Sequence, residues 1–252
     1  MPLLKHRCGY RPSPNPSPLR FGAYVNAAAL PATPQIFGHY SLIGAKAWGE
    51  LDNNRIGNCT IVGPMHCVML WNAIAGQHIK FTALDADGDY AAVSGWNGSL
   101  ATDIGCDPTT VAEYWRTIGV RDCTDTRHKI ASYFSISPTN IEHIYAAAYL
   151  FDAVGLCVNM PSSAEGQFDA GEPWTVVAGD TIEDGHYVPL VGRDASYSKI
   201  VTWGALQDVT EEWLSKYLIE VVGIVSPEYL VNNKSPLGFD LGALMADQEA
   251  LS

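Results

Sequence analysis

Apolar positions along the chain recur first in patterns typical of helices and later in runs that suit strands. Four helices are predicted, over about residues 59–75, 82–92, 109–118 and 138–152. Pro64 falls near the first turn of the first helix, where its missing N–H costs little. Thr82 precedes the second helix as an N-cap, since its hydroxyl can accept from an unpaired backbone N–H. The first helix is apolar on nearly every side, so we expect it to be buried.

Strand-like segments follow these helices. They are predicted over about residues 154–160, 186–192 and 198–203, and from Leu218 to Val225, where residues alternate or are β-branched. Thr210 is expected to cap a short helix before the last strand. No internal repeat is visible.

The two ends of the chain differ in composition from the middle. Residues 1–45 are expected to form an extended arm, because their prolines remove backbone donors and oppose helix. They include Pro12, Pro14, Pro16, Pro18, Pro31 and Pro34. The arm carries apolar anchors, namely Leu19, Phe21, Tyr24 and Val25, and we expect it to lie along this domain or a neighbouring subunit. Residues 46–230 are expected to form the main domain, and residues 231–252 a tail of Gly, Pro and acidic residues.

The composition suits a globular protein with one enzyme-sized domain. Apolar residues make up 47% of the 252 residues and charged residues 17%, which is unlike a disordered chain. The formal net charge of −12 argues against a nucleic-acid partner, because a phosphate backbone selects lysine and arginine. No apolar run approaches the length of a membrane span, and the N-terminal residues lack the apolar core of a signal peptide. We therefore expect no membrane partner and a cytoplasmic protein.

The cysteines and the acidic clusters predict no metal ion and no other cofactor. The six cysteines have an irregular spacing that matches no zinc module, and we expect reduced thiols: Cys8, Cys59, Cys67, Cys106, Cys123 and Cys157. Residues 85–89 carry three aspartates, like part of a calcium loop, but the later bidentate glutamate is missing. An exposed acidic helix face is the simpler interpretation.

Cys59 and His186 are the residues with the clearest potential for catalysis. A polar loop places Cys59 at the start of the buried helix, where unpaired N–H groups and the helix dipole favour a thiolate and lower the thiol pKa. His186 begins a distant apolar strand. A cysteine and a histidine that meet only in the fold form the arrangement of thiol enzymes. The alternative is that Cys59 is a small buried hydrophobe and His186 a hydrogen-bonded core residue.

The motifs around these residues resemble the papain family of cysteine peptidases. That family places an oxyanion-hole Gln six residues before its nucleophile and a Gly two residues before it, and Asn53 and Gly57 hold these positions before Cys59. The strand that begins at His186 is similar to the family's catalytic His strand. Residues 202–204, Thr-Trp-Gly, resemble the end of its Asn-Ser-Trp-Gly motif. The same motifs are similar to uncharacterised papain-like proteins of bacteria and bacteriophages.

The resemblance implies an α+β papain-like fold with two lobes, one helical and one an antiparallel β half. It also implies that Cys59 attacks a carbonyl, that His186 transfers the proton, and that the Asn53 amide stabilises the oxyanion. The implied substrate cleft contains Gly57, Asn58, Gly185 and Trp203. The implied substrate is a peptide or protein, such as a cell-wall peptide or a viral precursor.

The chain departs from the family at the residue that orients the histidine. Val201 stands where the family has an Asn, and it cannot accept a hydrogen bond from the imidazole. Thr202 is the nearest polar replacement, and Asp194 on the adjoining turn is another candidate. Ile56 replaces a family cysteine, so the family's disulfide to the Gly-Cys segment cannot form.

Two functions from different classes remain open at this point. The first is a thiol hydrolase that cleaves peptide or amide bonds through Cys59 and His186, which the presence of that pair favours. The second is a weakly active or inactive papain-like scaffold that docks on protein partners through the arm, for example as a structural component of a phage particle. In that case we expect a virion-associated rather than a cytoplasmic protein. Val201 and Asn53 favour the second function, and a fold alone does not decide between them.

Overall fold

An antiparallel sheet of six strands, with helices packed on it, forms one half of the protein, and further helices form the other half. The computed structural model describes residues 6–230 and 236–251. Its strands are β1 Val120–Arg121, β2 Arg127–His128, β3 Ser132–Ile136, β4 Val154–Pro161, β5 Ile182–Arg193, β6 Ser198–Thr202, β7 Ala205–Val209 and β8 Leu218–Val225. The main sheet has the order β3-β8-β4-β5-β6-β7, while β1 and β2 form a separate hairpin.

Eight α-helices lie in the described part of the chain. They are α1 Phe21–Tyr24, α2 Cys59–Ile74, α3 Ala83–Ser94, α4 Pro108–Thr117, α5 Ile141–Phe151, α6 Ala164–Ala170, α7 Glu211–Tyr217 and α8 Leu241–Ala250. Helices α1, α5, α7 and α8 pack on the main sheet, and α2, α3 and α4 form the helical half. Short 3-10 turns occur at Tyr40–Leu42 and Leu100–Thr102. None of the helices in residues 6–230 and 236–251 is long and apolar enough to cross a bilayer.

The predicted elements are present close to their predicted bounds. Thr82 caps α3 through a capping box with Asp85, and Thr210 caps α7 by accepting from the Trp213 backbone N–H. Strand β8 has the predicted limits. The sequence did not predict β3, β7, α6 or α8, and α8 lies in the segment expected to be a tail.

Separate cores fill the helical half and the sheet half. In the helical half, Trp71 of α2 stacks on Trp115 of α4 with ring centroids 5.8 Å apart. In the sheet half, Phe134, Phe151 and Phe239 pack together beside the inner face of the sheet. The expected α+β arrangement with a helical half and an antiparallel β half is therefore confirmed.

Helix α2 joins the two halves by packing on β5. The Tyr187 ring of β5 lies against Gly63 of α2, where an added Cβ would come within 2.4 Å of the ring. The same side chain passes over Gly155 of β4, where an added Cβ would lie 2.0 Å from the Tyr187 hydroxyl. Both glycines therefore leave the space for the Tyr187 ring, which packs the middle of β5 against α2.

The acidic stretch at 85–89 is not an exposed helix face, which corrects the sequence interpretation. Asp85 and Asp89 are buried in α3. Asp89 accepts from the Tyr114 hydroxyl at 2.8 Å and from Arg127 at 2.6 Å. These carboxylates face inward because hydrogen bonds and an ion pair replace their contacts with water.

Residues 6–45 lie along the rest of the chain, with only the one-turn helix α1 and the 3-10 turn as regular elements. Bridges join Arg20 to Ser135 and Phe37 to Arg193. Phe21 is fully buried between Phe134 and Phe239. The predictions for residues 1–5, 231–235 and 252 lie outside the described residues, and the division into arm, domain and tail remains a proposal.

Candidate active site

Cys59 is the first residue of α2 and is buried. It lies in a small apolar cluster with Tyr10, Cys157 and Tyr187. The preceding residue, Asn58, is held by a 2.9 Å hydrogen bond from its side-chain amide to the Leu51 carbonyl. Like the other five cysteines, Cys59 is a free thiol.

Burial raises the pKa of the Cys59 thiol to about 12. Backbone N–H groups of Tyr187, Gly9 and Thr60 act in the opposite direction, because they stabilise the thiolate. The sequence predicted a lowered pKa at this helix start. That prediction is wrong for this structure. The loss of water around a thiolate raises the pKa by more than the backbone N–H groups lower it.

His186 lies on β5, one residue before Tyr187, and is fully buried. Its Nε2 atom is 2.9 Å from Thr202 Oγ1. Its Nδ1 atom is buried and has no hydrogen-bond partner among the described residues. Burial, with a smaller contribution from His6, lowers the pKa of His186 to about 3, so the imidazole is neutral near pH 7.

Of the two candidates for orienting His186, the structure places Thr202 against the ring and Asp194 elsewhere. Asp194 follows β5 and pairs with Lys199 at 2.5 Å. Its carboxylate also accepts from the backbone N–H groups of Ser196 and Tyr197, each at 2.8 Å. Partial burial opposes ionisation, but these hydrogen bonds lower the pKa of Asp194 to about 2.

Trp203 covers one face of His186. The two rings stack with centroids 5.3 Å apart and an interplanar angle of 25°. Trp203 and Gly204 form the two-residue turn between β6 and β7, with φ values of 44° and 77°. Positive φ at both positions is typical of a type I′ hairpin turn, which explains why Gly follows Trp in this motif.

Asn53 lies on the loop that leads into α2. It is 2% exposed, and its side-chain Nδ2 atom has no partner among the described residues. Its backbone N–H donates to the Glu50 carbonyl at 2.9 Å, in a turn where Leu51 and Asp52 have positive φ. A buried amide donor without a partner costs free energy unless a ligand or water accepts from it, so Asn53 is suited to binding an oxyanion.

Asp103 and Tyr90 hold two segments of the cleft together, and the sequence did not predict their role. The Gly57 N–H donates to Asp103 Oδ1 at 2.9 Å, and the Tyr90 hydroxyl donates to the same oxygen at 2.7 Å. Tyr90 in turn accepts from the Gly105 N–H at 2.9 Å. Neither residue lies in a recognisable motif, so only the fold reveals this connection.

Residues 6–11 of the N-terminal segment pass between the walls of this site. Tyr10 N–H donates to the Gly185 carbonyl at 3.0 Å, which fixes the segment to the strand that carries His186. On the other side, Cys106 N–H donates to the Gly9 carbonyl and Arg11 N–H to the Cys106 carbonyl, both at 2.9 Å. The segment therefore lies beside Cys59 and is hydrogen-bonded through its backbone to both walls.

Three glycines allow this close approach. A Cβ on Gly9 would lie 1.9 Å from the Gly57 carbonyl oxygen, and one on Gly105 would lie 2.0 Å from the Gly9 carbonyl oxygen. Real Cβ atoms do not approach other atoms this closely. The backbones of Gly9, Gly57 and Gly105 are therefore in direct contact. A side chain on any of these glycines would force a wall of the cleft or the N-terminal segment to shift.

Side chains of the same segment fill the neighbouring surface. The Tyr10 hydroxyl donates to Glu220 at 3.0 Å. The His6 ring stacks on Trp203 with centroids 4.6 Å apart, so Trp203 contacts both His6 and His186. Arg7 pairs with Asp103 at 3.5 Å.

The geometry brings the start of α2, the middle of β5 and the β6–β7 turn close together. Tyr187 joins them, because its backbone N–H faces the Cys59 thiol while its neighbour His186 carries the unpartnered Nδ1. Thr202 and Trp203 hold the His186 ring from two sides. A direct contact between Cys59 Sγ and the His186 ring stays a prediction.

Several solved structures of cysteine proteases are similar to this chain. Xylellain, a cysteine protease from Xylella fastidiosa, is 16% identical and aligns over 90% of this chain and 98% of its own, with a TM-score of 0.65. A procathepsin L from the larval midgut of Tenebrio molitor is 11% identical over 88% and 75% of the two chains, with a TM-score of 0.56. A Carica candamarcensis cysteine protease in complex with E-64 is 14% identical over 77% and 99%, with a TM-score of 0.52.

These similarities show that the protein has a papain-like cysteine protease fold. At identities this low they support the fold alone. No protein-family model matches the chain, and no curated protein matches it in sequence. The expected relation to bacterial and phage proteins and the phage-particle alternative are not supported by these structures and stay predictions.

Proposed function

We propose that the protein is a thiol hydrolase of peptide bonds in which Cys59 is the nucleophile and His186 the base, and that residues 6–11 hold it in a latent state. The observation that carries the proposal is the buried His186 ring on β5, next in sequence to Tyr187, whose backbone N–H faces the Cys59 thiol. One ring nitrogen is bonded to Thr202 and the other has no partner. A thiol at a helix start and an imidazole with an unpartnered ring nitrogen on the strand that packs against that helix are the parts that thiol catalysis needs.

In the proposed reaction, His186 Nδ1 accepts the Cys59 proton as the sulfur attacks the carbonyl carbon of a peptide. The C–S bond forms, and the carbonyl oxygen becomes an oxyanion near the Cys59 N–H and the Asn53 amide. The protonated His186 then donates its proton to the leaving amine as the C–N bond breaks. Water, deprotonated by His186, hydrolyses the thioester and restores the free thiol.

The His186 tautomer follows from its hydrogen bond. If Nδ1 is to accept a proton, Nε2 must carry the ring hydrogen and donate it to Thr202 Oγ1. Trp203 shields this bond from water, which strengthens it. In this proposal, Thr202 has the orienting role that an Asn has in the papain family.

The proposed latency rests on the position of Gly9. Its backbone N–H faces the Cys59 sulfur, and its carbonyl accepts from Cys106. A substrate carbonyl cannot reach Cys59 while this backbone is in place. The raised pKa of Cys59 and the lowered pKa of His186 belong to this closed, dry state, so displacement of the segment is expected to admit water and favour the reactive ionised pair.

Substitution of Gly9 tests both parts of the proposal. In Gly9→Ala the added methyl group collides with the Gly57 carbonyl, so the segment is expected to leave the cleft. Gly44→Ala is the matched control, because its Cβ would meet only Ala47 at 3.5 Å. We expect alkylation of Cys59 by iodoacetamide at pH 7 to be at least tenfold faster in Gly9→Ala than in wild type or the control, measured by mass spectrometry of the Cys59 peptide.

Peptide hydrolysis is measured on the same proteins with a fluorogenic peptide library. We expect turnover in Gly9→Ala that Cys59→Ser abolishes. Fast alkylation without turnover of any peptide would favour the scaffold function over the hydrolase. Slow alkylation in a folded Gly9→Ala protein would contradict the proposed latency.

A further inference from the structure

The turn formed by residues 49–53, which we call the Asn53 turn, has a backbone conformation that side chains rarely adopt. Gly49, Leu51 and Asp52 have φ values of 81°, 51° and 60°. Glycine takes such values without strain, whereas Leu51 and Asp52 take them at a cost in free energy. Strained residues persist only where the surrounding contacts determine the conformation. Other parts of the molecule must therefore hold the Asn53 turn in place.

Side chains of α2 and of the residue before it hold this turn at two backbone carbonyls. His66 Nε2 lies 3.0 Å from the Gly49 carbonyl oxygen. The Asn58 side-chain amide donates to the Leu51 carbonyl at 2.9 Å. Both His66 and Asn58 are buried. The start and the middle of the turn are therefore fixed to the helix that begins at Cys59.

His66 is well placed to act as a fixed point for the turn. It follows Cys59 by seven residues, and with about 3.6 residues per turn it projects from nearly the same face of α2. The Trp48 ring packs edge-on against it, with centroids 5.9 Å apart. A carbonyl can only accept, so His66 Nε2 must carry the ring hydrogen and donate it. Burial lowers the pKa of His66 to about 4, so the ring is neutral at pH 7 and donates through one nitrogen.

The Asn53 turn also lies beside the turn that supports His186. Gly49 forms an antiparallel bridge with Gly204. The residue before Gly204 is Trp203, which stacks on the His186 ring. The Asn53 turn therefore connects the helix of the proposed nucleophile with the support of the proposed base.

We propose that His66 is a positioning residue for the oxyanion donor, because its bond to Gly49 fixes the Asn53 amide relative to Cys59. Asn58 holds the same turn at a second point. This inference rests on the proposed function, in which the Asn53 amide stabilises the oxyanion. The Asn53 Nδ2 atom has no partner among the described residues, so no hydrogen bond from this atom fixes the amide. Its position depends on the backbone of the turn, and a misplacement of about 1 Å can cost about a hundredfold in rate.

Kinetics in the Gly9→Ala background separate positioning from general destabilisation. In His66→Leu, which removes the donor, we expect kcat for peptide hydrolysis to fall about tenfold to a hundredfold while KM changes little, because the oxyanion forms only during the reaction. His66→Gln keeps a donor for the Gly49 carbonyl and is expected to retain most of kcat. Alkylation of Cys59 by iodoacetamide forms no oxyanion, so its rate should be equal in these proteins.

Two further variants control for the stability of α2. Cys67→Ala removes another buried group of α2, one that packs in the helical half, and is expected to leave kcat unchanged. Asn58→Ala removes the bond to Leu51 and is expected to lower kcat as His66→Leu does. It also provides the test if urea unfolding shows that His66→Leu does not fold.

A double-mutant cycle tests whether His66 acts through Asn53. Asn53→Ala removes the amide, so His66→Leu in that variant should not lower the residual kcat further. Independent losses that multiply would overturn the inference. Equal kcat in His66→Leu and His66→Gln, or a raised KM with unchanged kcat in His66→Leu, would also overturn it.

The Gly9→Ala protein distinguishes failure of this inference from failure of the proposed function. If it hydrolyses peptides and Cys59→Ser abolishes this, but His66→Leu has no effect on kcat, the positioning role alone is wrong. If Gly9→Ala hydrolyses no peptide, the proposed function is wrong and the positioning role falls with it.

Discussion

Thr202 shows how far a single residue could be assigned from sequence. Val201 holds the position of the orienting Asn in the papain family, and Thr202 and Asp194 were both candidates to replace it. The structure places only Thr202 on the His186 ring, because Asp194 pairs with Lys199 on the turn after β5. Both residues were suggested because they lie near the expected Asn position or on the adjoining turn. The side of β6 on which Thr202 lies, and the position of Asp194 in the β5–β6 turn, determine which of them reaches the imidazole.

Removal of the Thr202 hydroxyl is expected to reduce catalysis. In a Gly9→Ala background, Thr202→Val leaves the Nε2 atom of His186 without a partner in a buried site, which costs about 1–3 kcal/mol. We expect kcat/KM for peptide hydrolysis to fall about tenfold to a hundredfold. Thr202→Ser should retain most activity, and Asp194→Ala should leave it unchanged. Equal activity in Thr202→Val and Thr202→Ser would show that no orienting group is needed.

His66 provides a separate prediction about pH and stability. Burial lowers its pKa from 6.5 to about 4, although hydrogen bonds with the backbone of Gly49 and Trp48 partly oppose this. The unfolded chain therefore binds more protons between these pH values, so stability falls as pH drops from 6.5 towards 4. The whole shift corresponds to on the order of 3 kcal/mol.

The measurement is the free energy of urea unfolding as a function of pH. His66→Gln keeps a donor for the Gly49 carbonyl, which His66 Nε2 approaches to 3.0 Å, and removes the titration. We expect a shallower loss of stability between pH 6.5 and 4 in this variant than in wild type. Parallel curves would mean that His66 does not titrate across this range.

At the scale of elements, the sequence was informative where capping residues or long apolar runs mark the boundaries. Thr82 and Thr210 identified the starts of α3 and α7, and the run after Leu218 identified β8. Strand β3 escaped prediction because all five of its residues are buried and include two serines, so no alternation is visible. Helix α8 has a weak sequence pattern, and its burial of Leu244 depends on contacts distant in sequence.

Gly63 is expected to be essential to the packing of α2 on β5. In Gly63→Ala the new Cβ would lie 2.4 Å from the Tyr187 ring, and overpacking of this kind costs about 1–3 kcal/mol. Gly166→Ala in α6 is the control, because an added Cβ there meets nothing within 4 Å and helix propensity alone favours alanine by up to about 1 kcal/mol.

Urea unfolding at pH 7 compares the two variants. We expect a lower midpoint for Gly63→Ala and an equal or higher midpoint for Gly166→Ala. If both variants changed stability in the same direction and by the same amount, the Tyr187 contact would not limit the packing of α2.

At the scale of the whole molecule, a buried histidine connects three separate segments. His128 of β2 lies 2.7 Å from Glu228, which follows β8, and 3.2 Å from Asp122 of the β1–β2 loop. Asn72 of α2 donates to the same Glu228 at 2.5 Å. These polar contacts tie the helical half to the end of the sheet.

The His128 contacts predict a stabilising effect that weakens at high pH. Burial opposes protonation, but Glu228 and Asp122 outweigh it and raise the pKa of His128 above 6.5. A raised pKa means that the stabilisation is fully present below pH 6.5 and is lost as pH rises through the folded pKa. We expect the difference in unfolding free energy between wild type and His128→Gln to shrink as pH increases from about 6 to about 9. A constant difference would contradict protonation of His128 in the folded state.

The position of the N-terminal segment was also only partly predictable. Its prolines and apolar anchors suggested a docked, extended segment, and Phe21 and Leu19 are indeed buried. The path through the cleft depends on Gly9, Gly57 and Gly105 meeting in space, and these positions are too far apart in sequence for any local pattern to show it.

The contact of Gly9 with Gly57 also has a consequence for how the protein responds to concentration. In the proposed latent enzyme, the segment belongs to the same chain as the active site, so it would compete with substrate at an effective concentration in the millimolar range, set by its tether. Dilution of the protein cannot release it, and the apparent affinity for any substrate is reduced in proportion to the fraction of molecules that are open. Activity per molecule would therefore be independent of the amount of protein present and would depend on whatever opens the segment.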